Sequence, residues 1–140
     1  MKEGKNMIKF HKEAQQLKNK IDDILKRHNL VPEDNIYYGE EHGDGSLEIN
    51  IEKDSLGWHW KEIERAYVNR EKFTADKNEI LYWIIKQSSR DEAGKGINWT
   101  SKSKRKDPRK IFFNNHVNIM KLINSEWGTR LESEYNQIIK

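Results

Sequence analysis

At 140 residues, with 35% of side chains charged and 34% hydrophobic, the chain is one domain (1–140) with a small core and a heavily charged surface. It has no cysteine, which excludes a disulfide scaffold, a thiol nucleophile and a thiolate metal centre and fits a reducing compartment, while five Trp, five Tyr and four Phe exclude a disordered polyampholyte. The net charge of +3 conceals an acidic block, with 13 acids and 6 bases over residues 29–80, between a basic start (8 bases, 4 acids over 1–28) and a basic run (6 bases, 1 acid over 101–110).

No apolar run approaches the roughly 20 residues needed to span a bilayer. The opening MKEGKNMIKF has no apolar signal region, so the expected location is the cytoplasm. Residues 5–28 carry Met7, Ala14, Leu17, Ile21, Ile24 and Leu25 at helical spacing, with Asn29 as C-cap and Pro32 barring continuation. Ile36-Tyr37-Tyr38 reads as a strand, and Gly43-Asp44-Gly45 as a hairpin turn. Leu47, Ile49 and Ile51 alternate with Glu48, Asn50 and Glu52, which predicts a half-buried strand with one wet, acidic face. After Gly57, Trp58 and Trp60 alternate with His59 and Lys61, and a turn at 64–66 leads into a strand over 67–73. These segments make an antiparallel meander of three to four strands within 36–74.

The most apolar stretch is DKNEILYWIIKQ, residues 76–87, read as a core helix over 76–90. Its unbroken apolar run, Ile80 to Ile85, covers most of a helix circumference and predicts burial on more than one face. Asp76 is the expected N-cap, Glu79 completes an Asp version of the capping box, and Trp83 is placed between the sheet and the helices. Residues 88–107, with two glycines, four serines and the basic run, read as a long loop. Asp107-Pro108 then starts a helix over 108–123, and Ser125 is a candidate cap for a last helix over 125–139. The predicted class is α+β: an N-terminal helix, the meander, then a core helix and two C-terminal helices packed on one face of the sheet.

No catalytic or metal motif assembles from spacing. The five histidines form no HExxH pair, Gly43-Asp44-Gly45 lacks the rest of a calcium loop, and no phosphate-binding loop occurs. Glu62, Glu64, Arg65 and Arg70 read as a solvated ionic cluster, and His59, Glu62 and Glu64 have no nucleophile–base spacing. No cofactor and no metal are expected. An alternative function comes from Trp99 with Lys102, Lys104, Arg105 and Lys106, which would bind nucleic acid through phosphate contacts and one stacked ring.

Several segments stand in a familiar order. An aromatic strand ends in Glu64-Arg65, a turn leads to a second strand with Arg70, and Glu79-Ile80-Leu81-Tyr82-Trp83-Ile84-Ile85 follows. A variable loop then gives way to Asp107-Pro108-Arg109-Lys110-Ile111-Phe112-Phe113, and Met120 to Trp127 ends in Asn124-Ser125-Glu126-Trp127. Over about 57–135 the chain resembles the immunity protein 63 family, immunity proteins of bacterial polymorphic-toxin and contact-dependent inhibition systems. Lys110, His116 and Ser125 depart from its pattern. The resemblance implies a small, non-enzymatic α+β protein that binds the C-terminal domain of a cognate toxin and protects the producing cell. A toxin acting on nucleic acid presents a positive groove, so the partner surface is expected on the acidic side of the sheet: Glu40, Glu41, Asp44, Glu48, Glu52 and Asp54.

Overall fold

The computed structural model describes residues 2–40, 42–101 and 107–139. Helix α1 spans Lys2–Arg27 and turns Ala14, Leu17, Ile21 and Leu25 inward, all essentially inaccessible to solvent. It ends as the sequence predicts. Asn29 is left-handed (φ 56°), its N–H reaches Lys26 O, and Leu30 N–H reaches back to Leu25 O at 2.8 Å, which satisfies two of the free carbonyls of the last turn.

Four strands follow: β1 (Ile36–Tyr38), β2 (Glu48–Lys53), β3 (Trp58–Glu64) and β4 (Tyr67–Thr74), side by side in that order. β2, β3 and β4 pair antiparallel, as expected. β1 differs, because it pairs parallel to β2, with Tyr37 opposite Asn50. Gly43-Asp44-Gly45 is therefore not a hairpin turn. It lies in a connection that must carry the chain back to the start of β2, and the left-handed Gly39, Gly43 and Gly45 allow that path.

Register divides the sheet into two faces. Ile36, Tyr38, Ile49, Ile51, Trp58 and Trp60 lie on one face and are buried. Tyr37, Glu48, Asn50, Glu52, His59, Lys61, Ile63, Val68, Glu71 and Phe73 lie on the other. Leu47, expected inside with Ile49 and Ile51, precedes β2 and is exposed.

α1 covers β1 and β2, and α2 (Lys77–Ser88) packs beside it against β3 and β4. Ile80, Leu81, Tyr82, Ile84 and Ile85 are all buried, so α2 is packed on more than one side, as its apolar run requires. Trp83 is the exception. It is only partly buried, at the β4 side, where Lys72 Nζ lies 4.3 Å from its ring. Asp76 caps α2 by accepting Asn78 N–H at 2.9 Å, but Glu79 does not complete a capping box. Its carboxylate instead takes the two-pronged guanidinium of Arg130 at 2.6 and 2.5 Å, a stronger partner than a backbone amide.

The expected loop over 88–107 contains a short helix, α3 (Arg90–Gly94), which continues the path of α2 after a break at Ser89. Helix α4 (Pro108–Ile123) starts as predicted, with Asp107 accepting Arg109 N–H and Pro108 in the first turn. Helix α5 (Ser125–Ile139) is capped by Asn124, whose Oδ1 accepts Trp127 N–H, and not by Ser125. The α4–α5 pair meets the outer side of α2 through Tyr82. Trp127 is edge-on to the Tyr82 ring, Arg130 lies 3.9 Å over it, and its hydroxyl donates to Glu134. The result is an α+β fold with helices following, and packed after, the sheet.

Candidate partner-binding surface

Among the described residues, only α1 and α2 of the helices pack broadly on the strands, and they share one face. No helix among the described residues packs broadly on the opposite face. The fold treats the acidic residues expected to form a partner surface differently from one another.

Glu48 is not wet. It is 3% exposed, lying under the connection between β1 and β2, and its two oxygens accept Gly43 N–H at 2.7 Å, His42 N–H at 2.9 Å and Asn50 Nδ2 at 2.9 Å. His42 stacks flat on Tyr37, with ring centroids 4.8 Å apart, and pins the same connection. Burial by itself pushes the Glu48 carboxyl up. The three donors outweigh it and hold the group below its ordinary value. The reason for the burial is now apparent: a parallel β1–β2 pair sends the connection across this face, and its free amides need an acceptor.

Asp54 is similarly occupied within its own turn. Oδ1 accepts Leu56 and Gly57 N–H, and Oδ2 lies 2.7 Å from His59 Nε2. Glu52 does point outward but pairs with Lys61 at 3.1 Å. Asp44 is half-exposed, near His42 at 3.2 Å and bonded to Ser46. Glu40 is exposed at the mouth of a groove of about 440 Å³ between α1 and β1, which Asp22, Glu33 and Asp34 also line. Burial, reinforced by Asp91 and Asp34, raises Glu33, so this end of the molecule is acidic. Glu41 lies outside the described residues.

Trp99 is half-exposed and leans on Phe112, with centroids 5.7 Å apart. Together with Arg90, Asp91, Lys95 and Arg109 it borders an open groove of about 790 Å³. Lys102, Lys104, Arg105 and Lys106 lie outside the described residues.

Two features were not legible from spacing. The first is a polar network inside the helical layer. His116 Nε2 lies 3.0 Å from Lys86 O and 2.8 Å from Ser89 Oγ, and Nδ1 lies 2.5 Å from the Tyr135 hydroxyl. A carbonyl only accepts, so Nε2 carries the proton and Nδ1 accepts from Tyr135. Nε2 therefore cannot also take the Ser89 proton, and both residues are wholly buried. This is a structural strut rather than a nucleophile and its base.

The second is the exposed surface around the β3–β4 hairpin, whose turn at 64–66 the spacing does predict. Its two turn residues, Arg65 (φ 51°) and Ala66 (φ 66°), are both left-handed without being glycine, a conformation that costs non-glycine residues about 1–2 kcal/mol each. Arg65 N–H bonds Gly45 O, so this turn abuts the 43–46 loop, and a shallow groove lies between them. Tyr67 is 75% exposed, and Val68 and Phe73 are about half-exposed. A sequence signal for this surface existed: YVNREKFT gives neither face of β4 an apolar stripe, as fits a strand at the margin of a sheet.

Comparison with curated proteins gives no match, and none of the solved structures matches. A family model, described as Immunity protein 63, matches residues 54–137, which hold β3, β4, α2, α3, α4 and most of α5. With more than half of its length matched, the chain belongs to the immunity protein 63 family, and that family implies an immunity protein directed against a toxin.

Proposed function

We propose that this chain binds the C-terminal domain of a cognate bacterial toxin in the cytoplasm of the producing cell and neutralises it by covering its working surface. The match of residues 54–137 to the immunity family carries this reading. The closed Ser89–His116 contact supports a binding role over turnover. Toxins delivered by polymorphic or contact-dependent systems are the expected targets, through the resemblance described above. Of the acidic partner residues, Glu40 and Asp44 are accessible and Glu52 is partly so. Glu48 and Asp54 serve the fold's own amides.

The test is co-expression with the toxin domain encoded beside this chain's gene. Restored growth, and a complex that survives gel filtration, are the expected results. Growth arrest with no complex would remove the reading. Binding of RNA or DNA that falls steeply with salt and is lost in Trp99→Ala would instead assign the groove beside Trp99 to nucleic acid.

A further inference from the structure

β4 is the longest strand of the sheet and stands at its margin. Its side away from β3 presents a row of backbone amides and carbonyls. Among the described residues, no backbone hydrogen bond between elements involves residues 67–73 outside the pairing with β3. A long open edge is a template for one more strand.

A second copy of this chain is a poor occupant. Two β4 strands related by a two-fold axis normal to the sheet must oppose residues of the same face. Centring that pairing on Arg70 sets Arg70 against Arg70. Centring it on Glu71 sets Glu71 against Glu71 and Arg70 against Lys72. Centring it on Lys72 sets Lys72 against Lys72. Like charges directly opposite one another destabilise a pair, so each central register is disfavoured.

The charge pattern suits a foreign strand. On the helix-covered side, Arg70 is largely exposed and only loosely paired with Glu62 at 3.8 Å, and Lys72 lies over Trp60 and Trp83. Burial, then the neighbouring Arg70 and Lys86, hold the Lys72 ammonium below its ordinary pKa, opposed by Glu62 and Glu134. On the open side stand Val68, Glu71 and Phe73. We propose that β4 accepts an extended segment of the toxin as a fifth strand. That segment carries acids on the helix-covered side, facing Arg70 and Lys72, and apolar or basic side chains on the open side. The proposal rests on the toxin-binding reading and names the contact it would use.

The experiment follows amide exchange by NMR in the labelled chain, alone and with the toxin domain encoded beside its gene. Strand addition requires that a complex forms and that amides within 67–73, fast in the free chain, become slow in it. Val68→Glu and Arg70→Gln, both at exposed positions, are expected to weaken the Kd at least tenfold with a nearly unchanged urea midpoint. If the complex forms but 67–73 exchanges as before, or both variants bind like the wild type, strand addition is overturned and the toxin-binding reading stands. If no complex forms with the wild-type chain, both fall. A free chain that sediments as a dimer, and as a monomer once Arg70 is changed to Glu, would make the occupant a second copy and overturn the assignment.

Discussion

His116 shows how one buried side chain sets a pH response. Burial brings its pKa down to about 4, opposed by the hydrogen bond to Lys86 O and assisted by Arg90 and Lys86 nearby. In the unfolded chain the ring titrates near 6.5. The unfolded state therefore takes the proton first as pH falls. Stability from the neutral ring is complete above about 6.5, declines between there and about 4, and is level below, a total of roughly 3 kcal/mol. His116→Gln removes this titration. Urea denaturation at pH 7 and pH 4 should show the wild type losing its lead over the variant by about that amount. A lead that is the same at both pH values would place the titration elsewhere. Glu48 acts at the other end of the scale. Its lowered pKa contributes stability above the usual carboxylate range, and that stability is lost as pH falls through its folded value.

Among the elements, α5 contains a glycine where helix propensity argues against one. Gly128 costs its helix about 1 kcal/mol relative to alanine. Its place is explained by α4: a Cβ there would come within 2.7 Å of the Lys121 backbone, a distance that backbone atoms cannot yield. The two helices meet so closely because Asn124 both ends α4 and caps α5, leaving a one-residue connection. Gly128→Ala should therefore destabilise the protein by about 1–3 kcal/mol despite the better propensity of alanine, seen as a lower urea midpoint. A midpoint at or above the wild-type value would mean that α4 and α5 do not approach this closely.

Across the whole molecule, charge is sorted by location more than by amount. Glu52 pairs with Lys61 at 3.1 Å, and Asp54 and Asp44 lie 2.7 and 3.2 Å from His59 and His42, so the acids of the helix-free face are engaged by their own neighbours. The acids that keep their field lie at the α1–β1 end, with Glu33, Asp34 and Glu40. Electrostatic attraction of a basic toxin should act there. Glu40→Lys with Asp34→Lys is expected to slow association about tenfold at low salt and to flatten its salt dependence, with dissociation little changed. Stopped-flow mixing with the toxin domain at two ionic strengths reads both quantities, and unchanged association would place the steering surface elsewhere.

The amino-acid sequence by itself determined α1, α2, α4 and α5, several of their ends and most of the buried apolar strand residues. Asn29, Asp76 and Asp107-Pro108 act on backbone groups within a few residues of themselves, and Leu17, Ile21 and Leu25 repeat with the helix they occupy. The motif from Glu79 to Ile85 was equally local, and it lies within the residues that match the family. Tertiary structure decided what depends on partners far along the chain or off the helical repeat. Glu48 alternates like a wet residue, yet the amides of His42 and Gly43 draw it under cover because β1 runs parallel to β2. Glu79 matches a capping box, yet Arg130, 51 residues away, holds it. β4 became an open edge, and His116 a strut, only when every other element had found its neighbour, since hydrogen-bond demand is met by whichever donor the fold brings nearest.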